Sequence, residues 1–185
     1  MMLTPTKKLT RDDYYAMLAQ PENADKQFEF IDSERVEKEM GSFTPSEIAA
    51  LIGFFIRLYL REQPLGRLSA ADGGFIMPNG DILIPDVGYI ANERMPSRPD
   101  REVPVPPDLA VEVKSPPDRK AALRRKAQDY LAHGVKLVWL IFPENQSAEV
   151  YTADDELILL KIDDALSGGE VLPGLSIALT DIFPE

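Results

Sequence analysis

Apolar and polar residues change period several times along the chain, and each change predicts an element. Thr10 followed by Asp13 has the form of a helix N-terminus, and Tyr14, Leu18 and Tyr15 predict the inner face of a short helix. QPEN then breaks it. In FEFIDSERVEKEM apolar and charged residues alternate on both sides of Asp32-Ser33, which predicts two strands around a turn. TPSEIAALIGFFIRLYLRE switches to a period near that of a helix. Thr44 as cap, Pro45 at the first helical position and Glu47 closing a capping box predict where it starts. Ile48, Leu51, Ile52, Phe55, Leu58 and Tyr59 form its apolar stripe, and Gln63-Pro64-Leu65-Gly66 ends it.

Short strands are predicted at about 67–77 and 82–91, on either side of the turn sequence PNGD. Residues 92–108 carry five prolines and read as a surface loop; one this long is usually functional or mobile. LAVEVK reads as a strand and 118–133 as a helix, closed by Gly134 in a left-handed cap. KLVWLIF is a buried strand, SAEVY and ELILLK form a hairpin, and GGEVLPGLSIALTDIF is turn-rich with one or two short strands. The strand–helix–strand unit 109–142 requires a parallel pairing, whereas the other strands suit antiparallel hairpins. The fold class is therefore α/β, a mixed sheet flanked by helices with hairpins at both ends, and the length suits one domain over residues 1–185.

Composition narrows the chemistry. With no cysteine, disulfides, thiolate zinc sites, iron–sulfur clusters and cysteine nucleophiles are excluded together. His133 is the only histidine and sits at a helix end beside Gly134, where it reads as a capping residue. Trp139 lies within LVWLIF and reads as core. Met40, Met77 and Met95 share no useful spacing, and Asp154-Asp155-Glu156 reads as a hairpin turn. Gly73-Gly74 and Gly168-Gly169 read as turns, because no phosphate-loop lysine follows. The start lacks an apolar signal core and no continuous apolar run reaches the length of a membrane span, so a cytoplasmic protein without a membrane partner is expected.

The net charge of −11 is uneven. Residues 1–143 carry 19 basic and 21 acidic side chains, whereas residues 144–185 carry Lys161 against ten acids. Between Arg119 and Lys136 the bases Arg119, Lys120, Arg124, Arg125, Lys126 and Lys136 face only Asp129. A solvated helix face and a local phosphate-facing patch both fit this stretch.

One strand carries a more specific signal. Along DLAVEVKS, Leu109, Val111 and Val113 point one way while Ala110, Glu112 and Lys114 point the other. A strand feeding a crossover helix is normally apolar on both faces, so a carboxylate and an ammonium there must be paired or bind something. Asp86 interrupts a second apolar strand, ILIPDVGYI. Two such acids can hold a divalent ion; oxygen ligands suit magnesium, which keeps waters for its remaining positions. Lys114 would then orient water or stabilise phosphate charge. A buried Glu112–Lys114 ion pair, with Asp86 merely ending a strand, accounts for the same pattern.

Pro85-Asp86 followed by Glu112-Val113-Lys114 resembles the PD-(D/E)XK signature of metal-dependent nucleases. Over about 25–183, FEFIDSERVEKEMGS, GGFIMPNGDILIPDVGYI, VPPDLAVEVKSPPD, LRRKAQDYLAHGVKLVWLIFPENQSAEVY and GGEVLPGLSIALTDIF together resemble the Uma-two family of restriction-endonuclease-like proteins. The resemblance implies a restriction-endonuclease-like fold, often homodimeric, and a metal-dependent endonuclease acting on DNA. Asp86 and Glu112 match the metal-binding acids, the carbonyl of Val113 would add a ligand, and Lys114 matches the catalytic lysine. Glu29 matches a further acid acting through water. Lys126 and Tyr130 match a helical pair, with Arg124 and Arg125 beside them as candidate phosphate contacts. Magnesium is the implied cofactor and manganese the alternative. Many relatives carry a histidine where this chain reads TPSEI and an aspartate where it has Phe142, which leaves substrate details open. A nuclease fold retained for binding or regulation through protein partners is the competing reading, and the acidic C-terminal quarter is compatible with it.

Overall fold

The computed structural model describes residues 8–38, 42–95, 97–154 and 156–183, so Met40 and Asp155 lie outside the described residues. Helix α1 (Arg11–Leu18) starts where the capping pattern predicted. The Thr10 hydroxyl oxygen accepts from Asp13 N at 3.1 Å, and Asp13 Oδ2 accepts from Thr10 N at 2.9 Å. Its buried residue, Tyr14, donates from its hydroxyl to the Phe28 carbonyl at 2.6 Å and so pins the helix to the next strand.

That strand, β1 (Gln27–Ile31), turns through Asp32 and Ser33, both with positive φ, into the antiparallel β2 (Glu34–Lys38). The register pairs Glu29 with Val36 and Gln27 with Lys38. Residues directly opposite share a face, so Glu29 and Lys38 lie on the same side of the hairpin.

Helix α2 (Phe43–Glu62) begins earlier than predicted, with Ser42 rather than Thr44 in the capping position and no side-chain cap. Pro45 explains this: it has no N–H to leave unpaired, so it is tolerated anywhere in the first turn. The buried face steps by four through Ile48, Ile52, Ile56 and Leu60. Leu51, Phe55 and Tyr59 flank it, whereas Leu58, expected inside, is 40% exposed. By length and composition alone α2 could cross a bilayer, yet here its isoleucine stripe packs on a sheet.

Both strands predicted for 67–91 break in two. The first becomes β3 (Gly66–Ala70) and β4 (Phe75–Ile76), the second β5 (Ile82–Leu83) and β6 (Val87–Ala91). Pro85 causes the second break, because it cannot donate to a sheet ladder. Then come β7 (Leu109–Val113), α3 (Lys120–Ala132), β8 (Leu137–Phe142), β9 (Ser147–Thr152) and β10 (Leu157–Leu160), with β11 (Ala165–Ser167) and β12 (Ser176–Ala178) pairing in the tail. Gly134, at φ 90°, closes α3 as predicted, and His133 caps it with Nδ1 2.7 Å from the Asp129 carbonyl.

The central sheet runs β10-β9-β8-β7-β6-β3, with β7 and β8 parallel and the other pairs antiparallel. Its two faces are covered differently. Leu109, Val111, Val113, Trp139 and Ile141 pack against α2 and the tail. Ala110, Val138 and Leu140 pack against Leu123, Ala127 and Tyr130 of α3. A second sheet, β2-β1-β5-β4, brings the hairpin against this assembly through the Phe30–Ile82 pairing.

The described part of 92–108 is a loop, but a packed one. Val103 bridges to Phe75, Met95 is buried, and the loop ends on Asp108, which is 2% exposed. Arg94 Nη1 and Lys136 Nζ stand 2.9 and 3.0 Å from Asp108 Oδ1, and Ala91 N–H donates to Oδ2 at 2.9 Å. Burial favours the neutral acid, but these three partners outweigh it and hold the carboxyl below its ordinary value.

Candidate active site

Strand alternation brings Glu112 to the α3 side of β7, where it is 5% exposed among apolar neighbours. Two residues of α3 reach it. Tyr130 donates its hydroxyl to Glu112 Oε1 at 2.8 Å, and Lys126 Nζ stands 2.9 Å from the same oxygen. They are four residues apart and share a helical face, as their spacing predicted. Tyr130 is also packed against Leu123 and Ala127.

Glu29 enters from β1. Its Oε1 accepts from Ile84 N at 2.8 Å and from Lys126 Nζ at 2.9 Å. One ammonium therefore bridges two buried carboxylates. Asp86 follows the proline that interrupts the β5–β6 run; its own N–H bonds the Val111 carbonyl at 3.0 Å, and its Oδ2 accepts from Val113 N at 2.8 Å. Asp86 is thus tied along β7 beside Glu112. Lys38 arrives from β2, donating to the Ile84 carbonyl at 2.8 Å with Nζ 3.5 Å from Asp86 Oδ1.

The charges act on one another. Burial pushes the Glu112 carboxyl up to about 7, helped by Asp86 and Glu29 and opposed by Lys126 and Lys38. Burial alone would lower the Lys126 ammonium, but Glu112 and Glu29 outweigh it and raise it. The Tyr130 hydroxyl is raised well above its ordinary value by burial and then by the Glu112 and Glu29 charges. All these acids border a cleft of about 790 Å³ whose wall includes Glu29, Lys38, Asp86, Glu112, Arg125 and Lys126.

Two predicted site residues lie elsewhere. Lys114 is just beyond the end of β7; its Nζ donates to the Ser115 carbonyl at 3.1 Å and stands 3.8 Å from Glu144 Oε1. It makes neither the predicted approach to the acids nor an ion pair with Glu112, whose cation is Lys126. Arg124 is held by Glu149, with Nε 3.0 Å from Oε2 and a second bond through Nη2, and Tyr151 donates to the same carboxylate at 2.7 Å. Arg125 does line the cleft and is exposed. Phe142 is buried under the Lys120 ammonium, 4.8 Å from its ring centre.

Sequence reading missed Lys38. A signal was present, because once Asp32-Ser33 is taken as a two-residue turn, counting outward sets residue 38 on the face of Glu29.

Asp86 and Glu112 are hard oxygen donors, the first steadied by the Val113 N–H and the second by the Tyr130 hydroxyl and Lys126. Among the described residues no three His, Cys, Asp or Glu side chains gather closely enough to cage a metal. That donor set fits magnesium, which needs only one or two carboxylates and keeps its waters, and does not fit a protein-caged zinc.

No protein of curated function matches the chain. A solved structure described as "a putative nuclease belonging to DUF820 from Anabaena variabilis ATCC 29413" superposes with a TM-score of 0.79, covering 95% of this chain and 97% of that one at 21% identity. That likeness shows the restriction-endonuclease-like fold. The model of the Uma2 family, described as "Putative restriction endonuclease", matches residues 11–180. This chain, with its mixed sheet and its paired acids on β7 and before β6, belongs to the Uma2 family.

Proposed function

We propose that the chain is an endonuclease that hydrolyses DNA phosphodiester bonds with the help of a divalent cation. Family membership supports nuclease chemistry in general. The observation that carries the finer reading is the gathering of Glu29, Asp86, Glu112 and Lys126 on the wall of one cleft. Structural acids are usually matched by cations, whereas here three carboxylates meet two ammonium groups and a cavity.

Asp86, Glu112 and the carbonyl of Val113 would hold the ion, magnesium by donor type, with manganese as the alternative. Bound there, it would polarise the phosphoryl group and lower the pKa of a bound water. The side chains do the rest. The Val113 N–H fixes the rotamer of Asp86, and the Tyr130 hydroxyl fixes that of Glu112. Lys126 keeps Glu29 and Glu112 together despite their like charge and presents positive charge where a phosphate would enter. The lysine role that the sequence motif assigns to Lys114 therefore passes to Lys126.

Assembly as a homodimer is a companion proposal supported by β10. This edge strand exposes Leu157 and Leu159, at 50% and 67%. Thr152 N donates to the Glu156 carbonyl, so residues 156, 158 and 160 bond β9, and the backbone groups of Leu157 and Leu159 point outward. A two-fold pairing about Ile158 would set Leu157 of one copy against Leu159 of the other. Leu159→Lys should then convert a dimer to a monomer by light scattering; an unchanged mass would reject this interface.

The function is tested by digesting supercoiled plasmid with Mg²⁺ or Mn²⁺ beside Asp86→Asn. The expected result is metal-dependent nicking or linearisation by the wild type and none by the variant. Failure of the wild type to cleave any plasmid or single-stranded DNA would reject the proposal and favour a fold retained for binding.

A further inference from the structure

Three lysines lie near the acids, and their ties differ. Lys126 is bound by two carboxylate oxygens at 2.9 Å each. Lys114 is turned to Glu144 and the Ser115 carbonyl. Lys38 stands 3.5 Å from Asp86 Oδ1, beyond the length of a strong ammonium–carboxylate bond, and among the described residues otherwise donates only to a backbone carbonyl. The other four residues of β2 are exposed, yet Lys38 is covered, with its side chain 19% exposed on the cleft wall.

The loose tie of Lys38 to Asp86 leaves its ammonium less committed to the protein than that of Lys126. A polyanionic substrate needs such a cation here, because the protein carries −11 overall and six acids line the cleft, Glu29, Glu37, Asp86, Glu112, Asp118 and Asp129. Lys126 offers its charge to an entering phosphate while staying bound to two buried carboxylates, so it is not free to move with the substrate. Arg125 borders the cleft but is exposed. Lys38 is the cation at the acids with the least to give up.

Resting on the nuclease reading above, we propose that Lys38 is a substrate-binding residue, contacting a backbone phosphate beside the bond to be cut. It does so from the β1–β2 hairpin, while Lys126 enters from α3. The two-residue turn at Asp32-Ser33 sets the hairpin register and thereby aims this contact.

The test is fluorescence anisotropy of a labelled DNA duplex across a salt series, in a Glu112→Gln background that removes cleavage. Lys38→Met should weaken binding about tenfold and reduce the slope of log affinity against log salt by about 0.9, the value of one lost phosphate contact. Lys38→Arg should restore both, and Lys38→Met in the otherwise native protein should raise KM. Lys38→Gln, which keeps a donor for the Ile84 carbonyl, must reproduce the loss; if it binds like the parent, the role was structural. An unchanged salt slope in Lys38→Met, with wild-type cleavage intact, overturns this assignment alone. Absence of both binding and cleavage in the wild type overturns it together with the nuclease reading.

Discussion

Two clusters of buried acid and lysine or arginine sit at opposite ends of β7, and they differ in charge balance. At the N-terminal end Asp108 alone meets Arg94, Lys136 and the Ala91 N–H, and its carboxyl is held below the ordinary value. At the C-terminal end Glu29, Asp86 and Glu112 meet Lys38 and Lys126, and the Glu112 carboxyl is pushed up to about 7. The first cluster is over-compensated and ties a loop to the sheet. The second is short of positive charge and opens on a cleft, so an added cation would relieve it. Counting charges around a buried acid thus separates a structural knot from a candidate site, even where both use the same residue types.

Glu112→Gln should have the largest effect on activity, lowering cleavage by at least about 10³-fold by the loss of one charged group at the reacting phosphate. Its amide oxygen can still accept from Tyr130, so folding should survive, and calorimetry should show metal binding lost. Asp108→Asn should do the reverse. It leaves two cations without their acid and should cost about 2–3 kcal/mol in urea unfolding, with cleavage kept. If Asp108→Asn lost activity at full stability, the division between the clusters would collapse.

Acid titration sharpens the same contrast. The folded pKa of Asp108 is depressed, so its contribution to stability is complete above the unfolded carboxylate value of about 3.9. It is lost as pH falls through the folded value, when Arg94 and Lys136 face a neutral acid. Thermal midpoints measured below about pH 4 should fall less steeply in Asp108→Asn than in the wild type.

Two neighbouring arginines on α3 give a smaller test. Arg124→Ala removes the partner of Glu149, which is 6% exposed, and should cost about 1 kcal/mol with DNA affinity nearly unchanged. Arg125→Ala, on the cleft wall, should leave stability unchanged and weaken DNA binding, most visibly at low salt. Lys114→Ala should have the least effect, leaving cleavage within a few-fold, because Lys114 faces Glu144. A full loss of cleavage in that variant would return the lysine role to the sequence motif.

Much of this was legible in the residues. Capping at Thr10, the turn at Asp32-Ser33, the left-handed Gly134 and the alternation around Glu112 are all local, so spacing alone reports them. Pro45 and Pro85 were read less well. A proline restricts where a hydrogen bond can be, but the start of α2 and the break between β5 and β6 depend on what packs alongside. The lysine beside Glu112 is Lys126 and not the strand neighbour Lys114, for a related reason. Two residues along a strand share a face, yet Lys114 lies past the end of β7, where its long side chain follows Glu144 instead.

By itself, then, the sequence set most of the elements, put Glu112 on the face of its strand opposite Val111 and Val113, and marked Asp86 as an acid interrupting a second apolar run of a nuclease-like chain. Only the tertiary structure decided which ammonium serves them. Lys38, Lys114 and Lys126 are chemically alike, and what distinguishes them is the hairpin register and the packing of α3 against β8. Those long-range pairings set distances between side chains that chain order leaves free.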